Sequence, residues 1–204
     1  MKVYVHPLSG HSHRVVLLLS LLQLPYEIHE VDLKNCAHKT TEFLKLNPFG
    51  QVPVIDDNGV ILADSTAILV YVAKKYDPEG RWLPNSPAEA AHVQRWLSVA
   101  AGEVASGPAA ARLVTVFGAG LDHEAAKTKA HGLLKVVDQQ LAERDYLAGP
   151  GITIADIAVY SYVAHAPEGG VNLDAYPAVR RWLSRIETRN GFVAMVKSPV
   201  PAAA

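Results

Sequence analysis

The sequence predicts a small α/β layer followed by an all-helical region. Strand-like stretches alternate with helical ones in the order βαβ-α-ββα over roughly the first 76 residues. Two turn-rich stretches come next, Asp77-Pro78-Glu79-Gly80 and Pro84-Asn85-Ser86-Pro87. From Ala88 onward the pattern is Ala-rich with helical periodicity and no strand signal.

Each element has its own reason. Lys-Val-Tyr-Val at residues 2–5 alternates and is β-branched or aromatic, so it reads as a strand. Residues 12–23 form a buried helix, stopped by Leu24-Pro25. Residues 26–32 (YEIHEVD) alternate with period two, a second strand, and residues 41–46 a short helix. Residues 51–55 and 60–63 flank Asp56-Asp57-Asn58-Gly59, a strong hairpin turn. Asp64-Ser65 caps a helix through Lys75. Further helices are expected at 88–117, 123–144, 154–165 and 178–188, with a short one at the C-terminus. Two parallel strands joined by a crossover helix, then an antiparallel hairpin, complete the α/β layer.

The 204 residues are 50% hydrophobic and 19% charged, enough apolar material for a sizeable core. A net charge of −1 and a pI near 6.8 leave no electrostatic footprint for nucleic acid or an anionic membrane. A single cysteine, Cys36, excludes an internal disulfide and a CxxC redox pair. The apolar run at 15–22 is too short for a membrane span of ~20 residues and lacks a leader's cleavage site. A soluble cytoplasmic protein is expected.

Three features of the first region converge on chemistry. The loop from Leu8 to Ser12 delivers the chain into the first helix, whose free amides and dipole favour an anion. In LNPFGQVPVID, Pro53 removes a ladder donor, so the neighbouring Val52 backbone is free to pair with an extended peptide. Asp64-Ser65, at a helix start, suits the ammonium and carboxylate of a small ligand.

The stretch HKTTEFLKLNPFGQVPVIDDNGVILADSTAI resembles the glutathione-binding half of cytosolic glutathione S-transferases, especially their serine-type, phi-like or theta-like branches. ITIADIAVYSYV resembles the buried helix of that family's helical half, with Thr153 and Asp156 as a structural capping box. The match covers essentially the whole chain. It implies the glutathione transferase fold: a thioredoxin-like α/β domain at 1–77, a linker at 78–87 and an all-α domain at 88–204 contributing the electrophile pocket. It also implies a cis Val52-Pro53 bond and glutathione as cosubstrate, with no metal. By the same resemblance, the cysteine backbone of glutathione pairs with Val52 beside Pro53, and Asp64 and Ser65 hold the γ-glutamyl end. His38, Lys39 and Gln51 reach the glycine end, and Ser9 is the catalytic serine whose hydroxyl donates to the sulfur. His11 and Ser12 complete the glutathione-binding set. Candidates for the electrophile pocket are Glu103, Ser106, Arg112 and His165. The family further implies a homodimer, with Phe49 among its exposed apolar candidates, and a detoxification role on small hydrophobic electrophiles.

Several alternatives stand beside this reading. Ser12 is itself a natural N-cap and competes with Ser9 as the activating hydroxyl. A metal site at His11-Ser12-His13 lacks further ligands nearby, and a Ser–His hydrolase lacks the G-x-S-x-G elbow. His13 is expected on the helix's exposed side, and Cys36 as a plain thiol in a polar loop. Tyr4 lies inside a strand and is expected to pack. Arg14 either pairs with an acid of the second domain or is exposed. A glutathione-dependent lyase, isomerase or dehalogenase, or a non-catalytic module binding glutathione or a protein, could use the same scaffold.

Overall fold

A computed structural model describes residues 1–201. Four strands, β1 (Lys2–Val5), β2 (Glu27–Glu30), β3 (Val54–Asp57) and β4 (Val60–Ala63), form one sheet in the order β2-β1-β3-β4. β1 and β2 are parallel, while β1–β3 and β3–β4 are antiparallel, as the crossover-then-hairpin reading requires. Strand β3 starts only at Val54, because Pro53 has no N–H to give the ladder. The Val52–Pro53 peptide bond is cis.

Helix α1 (Gly10–Leu21) and helix α3 (Ser65–Tyr76) cover the sheet, and α2 (Thr41–Leu46) is a short six-residue piece. Val3, Val15, Leu17, Leu18, Leu19, Ile55, Ile68 and Leu69 have no exposed surface and form this layer's core. Tyr4 packs its ring edge-on to Phe43, in a smaller cluster with Val31 and Val54. Cys36 is exposed, in a left-handed turn.

The remaining helices are α4 (Pro87–Ala101), α5 (Ala110–Phe117), α6 (His123–Ala142), α7 (Ile154–Ala164) and α8 (Pro177–Glu187). The helix expected at 88–117 is thus two. Gly102 ends α4, and a π-turn, Ala105–Ala109, contains Pro108, which has no N–H for an ordinary helical turn. The expected C-terminal helix is absent from the described residues. Gly191 adopts φ +84, and a Cβ there would sit 2.6 Å from the Ser20 carbonyl oxygen, so the chain turns away instead.

Helix α7 is the hub, buried along nearly its whole length and packed against α1, α3 and α4. Its start is a capping box: the Thr153 hydroxyl accepts from the helix's first turn and the Asp156 carboxylate accepts from the Thr153 amide at 2.9 Å. The same carboxylate, fully buried, also accepts from the Leu147 amide at 3.0 Å and the Trp182 indole at 2.9 Å. No helix among the described residues is long and apolar enough to cross a membrane.

Candidate functional site

The end of β1, the start of α1, the loop before β3 and the start of α3 all open on one cavity of about 950 Å³, with α5 and α7 forming its far wall. Ser9 lines it and is the N-cap of α1, which begins at Gly10, two residues earlier than the start read from sequence. Its Oγ accepts from the Ser12 amide at 3.2 Å, which leaves its own hydrogen free to donate. Ser12 is 2% exposed, does not line the cavity, and accepts from the His6 amide at 3.2 Å. The two serines divide their work by position: one caps at the cavity edge, the other ties the helix to the end of β1.

Asp64 is the N-cap of α3, at φ +71. One oxygen, Oδ1, accepts from the Thr66 amide at 2.9 Å, the Thr66 hydroxyl at 2.6 Å and the Ala67 amide at 2.9 Å. Burial pushes the carboxyl's pKa up, but these bonds outweigh it and hold it below the ordinary value. Oδ2 makes no protein hydrogen bond among the described residues and is available to a cation. Beside it, Ser65 accepts from Arg14 Nη1 at 3.1 Å and lies 3.3 Å from His11 Nδ1. Burial, with Arg14 adding to it, drives the His11 pKa down to about 4.

The loop before β3 is held from inside. Asn47, 3% exposed, donates to the Gln51 carbonyl at 2.8 Å and accepts from the Phe49 amide at 3.1 Å. Lys39 donates to the Phe49 and Gly50 carbonyls, both at 3.2 Å. Gly50 must be glycine: φ is +59, and a Cβ would lie 2.7 Å from the His38 carbonyl oxygen. His38, Lys39, Gln51, Val52 and Pro53 all line the cavity. The Val52 backbone makes no protein hydrogen bond among the described residues, so it can pair with an extended ligand.

Of the electrophile-pocket candidates, only Arg112 lines this cavity. Glu103 and Ser106 line a separate hollow of about 840 Å³ with Leu121 and Lys129. His165 is buried behind Arg112, with its Nδ1 2.6 Å from Glu168 Oε1. Arg112 Nε donates to Glu168 Oε2 at 2.6 Å, and its Nη1 donates to the Leu8 carbonyl at 2.8 Å, just ahead of Ser9. Burial alone would raise the Glu168 pKa, but the Ser198 amide, Arg112 and His165 together hold it low. The apolar side of the cavity comes instead from Leu33, Leu113, Phe117 and Tyr162, with His6 nearby; of these, the sequence pointed only to the stretch holding Leu113 and Phe117, through the faces of residues 103–117. Leu113 and Phe117, four apart on α5 and 40% and 47% exposed, were the available signal.

His13 is not on an exposed face. It is 6% exposed, with Nε2 2.8 Å from the Val193 carbonyl and Nδ1 2.9 Å from the Ser161 hydroxyl. The carbonyl can only accept, so Nε2 carries the proton. Burial pulls its pKa down to about 4 against the opposing Val193 bond. Arg14 is buried too, on neutral partners. No cluster of three or more metal-ligating side chains exists among the described residues.

Residues 8–75 match the family model described as glutathione S-transferase, N-terminal domain, and residues 121–190 the one for the C-terminal domain. Glutathione S-transferase 3 of Zea mays is 36% identical over 219 residues, covering 98% of this chain and 96% of that protein. The crystal structure of a glutathione S-transferase from Pseudomonas fluorescens superposes with a TM-score of 0.89 at 32% identity, covering 96% of this chain and 98% of that one. That of a possible glutathione S-transferase from Rhodopseudomonas palustris gives a TM-score of 0.87 at 33% identity, covering 98% and 92%.

Proposed function

The chain belongs to the glutathione S-transferase family, and from that premise we propose that Ser9 activates the thiol of glutathione for attack on a small apolar electrophile. The observation that carries this reading is the Ser9 hydroxyl. It caps α1 as an acceptor and keeps its hydrogen free at the cavity edge. The thiol proton leaves to solvent and the hydroxyl donates to the sulfur anion. The sulfur's electron pair then forms the new carbon–sulfur bond as the leaving group departs.

The rest of glutathione follows the cavity wall. The unpaired Val52 backbone takes the cysteine residue as an added strand. Asp64 Oδ2 and Ser65 take the γ-glutamyl ammonium and carboxylate, while His38, Lys39 and Gln51 face the glycine end. The electrophile occupies the apolar side, against Leu113, Phe117 and Leu33. Ser12 is outside the ligand set, because its hydroxyl is buried on the His6 amide. A homodimer in the cytoplasm, acting in detoxification, belongs to the same reading. Phe49, 78% exposed at the cavity rim, is the apolar side chain a second subunit would cover.

The test is calorimetric and kinetic. Glutathione should raise the thermal midpoint of the wild type and be conjugated to a haloarene. Asp64→Asn keeps the cap oxygen but loses the charge, and should weaken glutathione binding about tenfold. A wild type that neither binds nor conjugates glutathione would refute the proposal.

A further inference from the structure

His6 stands where β1 gives way to the Ser9 loop, and one of its hydrogens is unspent. Its backbone is fixed at both ends: the amide donates to Ser12 Oγ at 3.2 Å, and the carbonyl accepts from the Ser9 amide at 2.9 Å. The second bond closes a tight turn over residues 6–9, with Pro7 at the position that favours proline. Such a turn holds its two end residues less than about 7 Å apart at Cα. His6 and Ser9 therefore line one cavity as a fixed pair.

The neighbours of the ring decide where its proton sits. The Leu8 amide donates to Nδ1 at 3.3 Å, so Nδ1 carries the lone pair. Burial, with the Arg112 charge behind it, holds the ring's pKa below its ordinary value against the pull of Glu30 and Asp32. At neutral pH the ring is uncharged, and its one N–H is at Nε2. That N–H makes no protein hydrogen bond among the described residues. The ring lies 6.2 Å from the Phe117 ring, on the side of the cavity that Leu33 and Leu113 also line. Arg112 is no substitute donor there. It is 1% exposed, with Nε spent on Glu168 and Nη1 on the Leu8 carbonyl.

An apolar wall with one fixed N–H suits an electrophile that is hydrocarbon in body and gathers negative charge on an oxygen as sulfur adds to it. An α,β-unsaturated carbonyl compound has that character. We propose that His6 is a catalytic residue for the addition of the glutathione thiolate to such compounds, its Nε2–H donating to the carbonyl oxygen. The inference rests on the glutathione reading and extends it from substitution to addition. The sulfur's electron pair bonds to the β-carbon, the alkene's π pair shifts to make an enolate, and the charge comes to rest on the oxygen that His6 faces. Water then protonates the α-carbon, returning the proton that the thiol gave to solvent, and His6 ends as it began. Because the donor meets its strongest partner only as charge develops, it acts on kcat more than on KM.

The experiment compares two electrophiles with an apolar aromatic body, benzylideneacetone and benzyl chloride, in steady-state conjugation of glutathione. The first builds charge on an oxygen and the second on its departing chloride, so the ratio of their kcat/KM values isolates the donor. His6→Phe keeps an aromatic ring beside Phe117 and should lower that ratio at least about tenfold, through kcat; one fully enclosed donor to an oxyanion is worth about 10²–10³. His6→Asn places Oδ1 where Nδ1 stood, keeping the Leu8 bond, and ends short of the Nε2 position. It should lower the ratio as far, and it carries the test if the Phe variant fails to fold. A smaller fall in either folded variant overturns the proposal. So does a bound thiol whose titration moves upward in the Asn variant, since the loss would then belong to the Ser9 loop. A wild type that conjugates benzyl chloride but not benzylideneacetone overturns the proposal and leaves the transferase reading standing. A wild type that conjugates neither overturns both.

Discussion

Replacing Ser9 tests the thiol-activation proposal most directly, and the structure says which replacement to trust. Its oxygen has two duties: it accepts from the Ser12 amide, and its hydrogen is free toward the cavity. Ser9→Ala removes both, at a cost to stability of about 1 kcal/mol for the lost cap. Ser9→Gly removes the hydroxyl but caps nearly as well, losing only a few tenths of a kcal/mol, so it isolates the donor. A free thiol with pKa ~8.5 must drop by ~2 units to be mostly thiolate at pH 7, which requires about 2.7 kcal/mol. A hydrogen bond to a charged group supplies about 1.5–3 kcal/mol, and the helix end about 0.3–1 more. Without the hydroxyl, the bound thiol's pKa should rise by about 1–2 units. Turnover near neutral pH should fall about 10- to 100-fold and recover in alkali. The assay is the ultraviolet absorbance of the bound thiolate against pH, alongside the pH profile of kcat/KM. A Ser9→Gly enzyme with an unshifted thiolate titration refutes the argument, and so does a Ser12→Ala enzyme that reproduces the shift.

Two more predictions concern buried polar groups. His13 has its folded pKa lowered to about 4, so from about pH 6.5 downward the unfolded chain binds more protons and stability falls with pH. Going from about pH 7 to about pH 5 should cost about 2 kcal/mol through this residue, read from thermal melts. His13→Gln should flatten that slope, and an equally steep profile in the variant would assign the acid sensitivity elsewhere. Asp156→Ala strands the Leu147 and Thr153 amides and the Trp182 indole, so it should cost about 3–5 kcal/mol. The thermal midpoint should drop by about 6–20 °C, with kcat per folded molecule unchanged, and a selective loss of kcat would contradict a purely structural role.

The elements most legible in the sequence were those fixed locally. The Asp64 cap, the proline before β3 and the Thr153/Asp156 box depend on neighbours a few residues away, and each stands where it was read; the hairpin turn is also there, but tighter than read, since Asp56 and Asp57 pair within β3 and only Asn58-Gly59 turn. The illegible parts depended on contacts across the chain. Ser9 and Ser12 could each cap α1, and the choice was made by the His6 amide at the end of β1, which claims the Ser12 hydroxyl. His13 sits on a helix apolar nearly all round, so no periodicity marked the side that α7 covers. The electrophile-pocket reading assumed one continuous helix through residues 88–117. The π-turn at Pro108 inserts an extra residue, and each added residue rotates the next turn of helix by about 100°. Glu103 and Ser106 therefore face a different hollow from Leu113 and Phe117. Gly102 and Pro108 were visible as breakers, but not the direction in which the chain resumes.

The start of α1 belongs to the first half of the chain, yet its walls are built by the second. A Cβ at Gly10 would meet the Tyr162 ring at 2.7 Å, His13 bonds to Ser161 and to the Val193 carbonyl, and Arg112 grips the Leu8 carbonyl. Recombination between relatives would therefore cut across the surroundings of the Ser9 loop wherever it separated the halves. A hybrid joining residues 1–76 to a foreign helical half would need a ring edge, a hydroxyl, a carbonyl and a guanidinium delivered to those same four places. Otherwise it would inherit Ser9 without the geometry that aims it.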